Sequence, residues 1–292
     1  MQSKEIKLET MNSVAEAYAQ QRFVFIPGAI MRGFLMDLGA LKNDFASLPA
    51  IGDNLPSDPT LVFRRSRNAR YIFDYERSMI YRGKFQPFML SESEDFVRHD
   101  SGTERRFRGV DDSLQLNTAF QALLRFKSSF VKTVDAVPRR STDHSQPRKV
   151  CTVFHLRTIT TPQLVGEPAL EGVHSDGVEH TMTTMIGSGN MLRGSAETSL
   201  HYNKQTTGMR HDQVDPEWAI ERRSHADLLD TLLIVDSERK HSLSPLRAQD
   251  GRIAAHRDML ILFTRSLATT GHASARFDST EPHPDLPLEL SP

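Results

Sequence analysis

Val150-Cys151-Thr152-Val153-Phe154-His155-Leu156-Arg157-Thr158-Ile159 is the stretch on which the reading of the fold turns. Apolar and polar residues alternate along it and β-branched residues recur, so it reads as a strand. Downstream the same texture repeats in short runs at residues 181–186, 197–202, 231–235, 241–243 and 257–263, with turn residues between them. Short strands punctuated in this way suggest a double-sheet jelly roll with a barrel-like core.

Upstream the period changes. Leu8, Met11, Val14, Ala15 and Tyr18 are spaced for an amphipathic helix over residues 8–21. Phe23-Val24-Phe25-Ile26 is a short strand stopped by Pro27-Gly28. Met31, Phe34, Leu35, Leu38, Leu41 and Phe45 mark a second helix over 30–47, and the Pro, Gly, Asp and Asn of 48–60 mark a loop. Residues 71–73 and 79–81 look like strands, with a turn at Arg82-Gly83-Lys84. A third helix is expected over 113–134, and the Pro-, Ser- and Arg-rich residues 135–149 read as a linker or surface loop. The expected class is therefore α+β. A single domain of residues 1–275 has a helical part, 1–149, and a jelly-roll core, 150–265, with flanking helices. An irregular tail, 276–292, carries Pro282, Pro284, Pro287 and Pro292.

Composition excludes several function classes. With 38% hydrophobic and 25% charged residues and a net charge of −1, the chain is ordinary for a globular protein. Nothing in that balance suggests nucleic acid, and the groups Arg64-Arg65-Ser66-Arg67 and Arg105-Arg106-Phe107-Arg108 read as solvated loop faces. A lone cysteine, Cys151, rules out a disulfide within the chain and fits a reducing compartment. Residues 1–7 carry charges where a signal peptide has its apolar core, and no run approaches the ~20 apolar residues of a membrane helix. A cytoplasmic protein with no membrane partner is expected, with a homodimer left open.

The chemistry centres on Gly172-Val173-His174-Ser175-Asp176-Gly177. Side chains two apart on an extended segment share a face, so His174 and Asp176 aim a nitrogen and an oxygen at one point. Ser-Asp-Gly is also good turn chemistry, so the pair alone decides nothing. His241, at the end of an apolar run and its polar turn, is the leading third ligand, and His180 is its rival. Two histidines and one carboxylate with open positions form the facial triad of non-haem Fe(II) oxygenases. Arg257 opens an apolar strand. It is either a snorkelling residue or a guanidinium fork for an anion, for which 2-oxoglutarate is the natural candidate in such an oxygenase. Arg265 is its rival on the same strand and Arg252 a weaker third choice.

Residues 171–180, 230–236, His241-Ser242-Leu243-Ser244-Pro245 and His256-Arg257-Asp258-Met259-Leu260 together resemble the bacterial 2-oxoglutarate/Fe(II) dioxygenases that hydroxylate aliphatic L-amino acids. The isoleucine dioxygenase type and the type acting on N-succinylated amino acids belong to that group. The resemblance spans about residues 150–265. It implies a double-stranded β-helix fold of the cupin-like kind, a His174, Asp176 and His241 iron site, Arg257 on the 2-oxoglutarate cosubstrate, and O2 as oxidant. Asn190-Met191-Leu192-Arg193-Gly194-Ser195-Ala196-Glu197 departs from the group's usual Gly-Gly-Glu/Asp-Ser pattern.

An amino-acid substrate needs a cation for its carboxylate. Arg82, Arg157 and Arg193 are the candidates, and Phe263 and Met185 are candidate walls for an aliphatic side chain. The expected function is hydroxylation of an unactivated C–H of an aliphatic L-amino acid, free or N-succinylated, with release of succinate and CO2. Two alternatives use the same roll: a metal-dependent hydrolase or isomerase acting on a small acid, and a non-catalytic module that binds one.

Overall fold

A computed structural model describes residues 8–94 and 96–292. The charged segment 1–7, on which the expectation of no signal peptide rested, lies outside the described residues. The helices are α1 (Met11–Gln21), α2 (Gly28–Asp37), α3 (Lys42–Ile51), α4 (Asp112–Gln115) and α5 (Thr118–Thr133). The strands of the first half are β1 (Phe23–Ile26), β2 (Arg64–Asp74), β3 (Met79–Gly83), β4 (Arg108–Gly109) and β5 (Thr142–Asp143). Then follow β6 (Arg148–Thr160), β7 (His180–Gly189), β8 (Thr198–Tyr202), β9 (Ala219–Arg223), β10 (Thr231–Val235), β11 (Arg239–Leu243), β12 (Ala255–Ala268) and β13 (Glu289–Leu290).

These strands form the two sheets of a jelly roll. The larger runs β1-β10-β7-β12-β6-β2-β3-β13, with β4 beside β2 and β5 beside β12; the smaller runs β11-β8-β9. The strand period of two divides the large sheet into two functional faces. Cys151 and Val153 of β6, Met182 of β7 and Leu260 and Leu262 of β12 pack under the helices, with Phe34, Phe120, Phe126 and Phe130 above them. Phe154 and Leu156 of β6 and Ile261 and Phe263 of β12 turn the other way, toward the small sheet, where they meet Phe88, Leu90, Phe96 and Phe107. One face holds the protein together and the other lines a cavity.

Several expectations shift for identifiable reasons. The helix expected over 30–47 is two helices, because Gly39 takes φ +96 and turns the chain between them. The second runs on to Ile51 through Pro49, into residues read as a loop. Strand β2 is longer than expected and begins at Arg64, so the first arginine group sits in the large sheet. The first half therefore supplies sheet strands as well as helices. The tail is packed too. Asp278 binds Arg70 and Arg265, β13 pairs with β3, and Leu290 is buried. Among the described residues no helix is long and apolar enough to cross a membrane.

Candidate metal centre

His174 and His241 are a directly opposed backbone pair: each N–H donates to the other's carbonyl at 2.9 Å. Opposed residues of an antiparallel pair project on one face. Their rings lie 4.3 Å apart between centroids. The segment carrying His174 thus adds an edge to the small sheet beside β11, which continues through its register with β8. Gly172 (φ +74) and Gly177 (φ +73) bracket the segment in left-handed conformations. A Cβ at Gly172 would lie 2.4 Å from the Met209 carbonyl oxygen, and one at Gly177 would lie 2.7 Å from Glu94 Cβ. Both turns therefore require glycine.

Asp176 completes the group. His174 Nε2 is 3.5 Å from Asp176 Oδ1 and His241 Nε2 is 3.6 Å from Asp176 Oδ2. One ligand atom from each of the three residues lies within 4.8 Å of the others, and all three side chains are buried. His174 Nδ1 contacts the Gly172 carbonyl oxygen at 2.9 Å, which fixes its tautomer and leaves Nε2 free to ligate. Thr181 Oγ1 donates to Asp176 Oδ2 at 2.7 Å. Behind the loop, Asp236 accepts the Asp176 N–H at 2.9 Å and pairs with Arg139 at 2.8 Å.

The electrostatics call for a cation. Burial opposes a charge on His174, but the Glu171 and Asp176 carboxylates outweigh it and raise its pKa to about 9. Burial lowers His241 to about 3 even though Asp176 opposes the shift. At neutral pH His174 is therefore the protonated imidazole and His241 the neutral one, and a bound cation would take the place of the His174 proton. Burial and the Asp176 charge push Asp236 up to about 7. Two neutral imidazole nitrogens and one carboxylate oxygen suit a divalent first-row metal, with the remaining positions open to the cavity.

His180, the rival ligand, is elsewhere. Its Nδ1 meets Tyr18 Oη at 3.0 Å under the helices, because the chain bends at Gly177 and breaks the parity it would share with Asp176. Arg257 lies on the cavity face, opposite Thr158 of β6. It is 3% exposed, and its one hydrogen bond to a side chain among the described residues is Nη2 to His225 Nδ1 at 3.2 Å. Its Nε has no partner among the described residues. Burial lowers it to about 10, so it stays charged at neutral pH, and no acid pairs with it among the described residues. Arginine can only donate, so His225 accepts at Nδ1, and burial with Arg257 lowers that imidazole to about 3. Arg265 is committed instead to Asp278, at 2.6 and 2.7 Å.

The other named residues separate clearly. Phe263 lines the cavity. Arg157 lies on the helix face, bonded to Asp258 by two contacts of 2.7 Å, because its strand position has the opposite parity to Phe154 and Leu156. Arg82 is buried against Gln115 and the Val110 carbonyl. Arg193 is exposed and pairs with Asp227. Met185 is buried but does not line the cavity. Sequence reading missed Arg64, Arg98, Arg105 and Glu171, all of which line it. The interleaving of Arg98 and Arg105 with Phe96 and Phe107 was the available signal, since both guanidiniums stack on Phe96.

Comparisons with known proteins agree with this geometry. A family model described as 2OG-Fe dioxygenase matches residues 50–263. The bifunctional enzyme flvA of Aspergillus flavus is 40% identical over 285 residues, which is 98% of this chain and 35% of that protein. The chain thus spans about a third of the length of this curated relative. The structure of the Fe(II)/α-ketoglutarate-dependent dioxygenase TqaL is 42% identical, with a TM-score of 0.83 and coverage of 96% of this chain and 94% of that one. A bsmA homologue from Methylobium petroleophilum PM1 shares the fold at 19% identity, with a TM-score of 0.71 over 90% of this chain and 96% of that one.

Proposed function

Because the chain belongs to the 2OG-Fe dioxygenase family, we propose that it hydroxylates an unactivated C–H bond of an aliphatic L-amino acid. It is an Fe(II)- and 2-oxoglutarate-dependent dioxygenase that uses O2. Family membership removes the metal-dependent hydrolase or isomerase alternative. The balanced reaction takes substrate, 2-oxoglutarate and O2 to hydroxylated substrate, succinate and CO2.

His174, Asp176 and His241 would hold the ion, and Arg257 would pair with the far carboxylate of 2-oxoglutarate. Bound there, Fe(II) and 2-oxoglutarate supply the O2 activation that a protein side chain cannot. The chain's own groups position and exclude. Gly172 fixes the His174 ring, Asp236 fixes the Asp176 backbone, and neutral His225 orients Arg257 without cancelling its charge.

The observation that carries the substrate reading is the wall beside the triad. Phe88 packs edge-on against Phe154 with centroids 4.8 Å apart and stacks on Phe263 at 6.2 Å; Ile261 and Leu156 fill between them. An apolar, water-excluding surface with cations at its margin suits a small aliphatic acid. The test is succinate release by anaerobically reconstituted protein on adding O2, 2-oxoglutarate and a panel of free and N-acylated aliphatic amino acids. Substrate-dependent succinate with a product one oxygen heavier supports the reading. No stimulation across the panel contradicts it.

A further inference from the structure

The charges around the cavity are unevenly paired, and the loosely held groups point to its guest. Four arginines line it: Arg64, Arg98, Arg105 and Arg257. Arg64 donates to Asp58 at 2.7 Å, and Arg98 binds Asp100 through two contacts of 2.5 and 2.7 Å. Arg105 is different. It is 5% exposed, its approach to Asp100 is 3.8 Å, and Nε and Nη2 have no hydrogen-bond partner among the described residues. Its guanidinium stands over Phe88 and Phe96, at 5.0 and 5.1 Å from their centroids. Arg105 shares Asp100 with Arg98, and Arg257 has no acid within ion-pair distance among the described residues.

One carboxylate is loosely held in the complementary sense. Glu171 Oε1 is 3.5 Å from His174 Nε2, the nitrogen that faces the proposed metal position. Its Oε2 has no hydrogen-bond partner among the described residues and is 3.9 Å from Arg98 Nη1. Glu171 is not part of the ligand group, so it borders the metal site without completing it. Glu171, Arg98, Asp100 and Arg105 follow one another in space, which sets a spare anion and a spare cation along one wall.

Building on the amino-acid reading above, we propose that this wall recognises the free zwitterion: Glu171 receives the substrate's α-ammonium and Arg105 its α-carboxylate. Arg257 is left for 2-oxoglutarate, so each spare charge acquires one partner. An N-succinylated substrate fails the same matching. It has no ammonium for Glu171, and it brings a second carboxylate for which the wall holds no unpaired arginine. Glu171 and Arg105 are therefore specificity-determining residues, and the substrate class narrows to amino acids with a free amine.

Calorimetric titration of the full chain, loaded anaerobically with Mn(II) and 2-oxoglutarate, tests this. The titrants are free aliphatic L-amino acids, their N-acetyl and N-succinyl forms, and the matching amines lacking the carboxylate. The expected result is binding of free amino acids by the wild type, with N-acylation or loss of the carboxylate weakening it on the order of tenfold to a hundredfold. Glu171→Gln should weaken free amino acids and shrink their advantage over N-acylated forms, with 2-oxoglutarate affinity unchanged and any change in Mn(II) affinity much smaller than the loss of amino-acid affinity. Arg105→Gln should remove the advantage of amino acid over amine, and Arg105→Lys should restore part of it. Binding of N-succinyl forms in preference to free ones overturns this proposal alone. So does an equal loss of metal and amino-acid affinity in Glu171→Gln, which would make Glu171 a ligand. Binding of no amino acid in any form, by protein that still binds 2-oxoglutarate, overturns the amino-acid reading as well. The wild-type comparison of free and N-acylated titrants stands even if a variant does not fold.

Discussion

Arg257 and Arg265 lie on one strand, at positions of one parity, yet the structure assigns them opposite burdens. Arg257→Met removes a buried cation that has no acid partner. Arg265→Met strips Asp278 of two contacts of 2.6 and 2.7 Å and leaves that carboxylate buried with Arg70 at 2.7 Å. Truncating one partner of a buried charge pair typically costs about 2–5 kcal/mol of binding, so Arg257→Met should weaken 2-oxoglutarate binding roughly 30-fold to several-thousand-fold. Its Tm without cosubstrate should stay within a few degrees of wild type, since no acid is left unpaired. Breaking the Arg265 pair costs about 3–5 kcal/mol of stability, or a fall in Tm on the order of 10 °C. Its 2-oxoglutarate affinity should stay near wild type. Calorimetric titration with 2-oxoglutarate and thermal melts of both variants measure the two quantities. An Arg257→Met protein that binds 2-oxoglutarate normally, or an Arg265→Met protein that loses binding while keeping its Tm, refutes the assignment.

Other consequences concern the groups behind the site. Lys127 is fully buried, Nζ has no hydrogen-bond partner among the described residues, and burial lowers it from 10.5 to about 7. The unfolded chain then binds the proton more tightly, so this contribution makes stability rise with pH from about 7 to 10.5 and leaves it flat below. Lys127→Met should flatten that rise and raise stability at pH 7 by up to a few kcal/mol; identical pH–Tm slopes in the two proteins would sink the argument. Asp236→Asn weakens the anchor of the Asp176 loop and should lower metal affinity about 10- to 100-fold while the fold persists. Competition with a chelator reads this, and unchanged affinity would show that the loop holds itself.

Local pattern revealed much of the fold because the cavity is built on strand parity. Alternation in β6 and the apolar run of β12 announced strands of a roll, and the His-x-Asp pair with a distant histidine pointed to the cluster that His174, Asp176 and His241 form. What stayed hidden depends on register between distant strands. Arg157 looked equivalent to any arginine near the core until its pairing with Asp258 placed both on the helix face. Arg64 and Arg105 lie in polar runs that resemble solvated loops, and only tertiary contacts, pairing with Asp58 for the half-buried Arg64 and stacking on Phe88 for the buried Arg105, draw them inward. The proline-rich tail resembled an arm, but Asp278 is required where two arginines, Arg70 and Arg265, are buried together. Charge neutralisation at long range leaves no periodic trace in a sequence.

The most direct measurement is a crystal structure of the full chain grown anaerobically with Mn(II) and 2-oxoglutarate, with the metal located by its anomalous signal. A single ion bound by His174 Nε2, Asp176 and His241 Nε2, with the far carboxylate of 2-oxoglutarate on Arg257, is the predicted outcome. An ion held at His180 or any other site, with nothing between the imidazoles of His174 and His241, would contradict it.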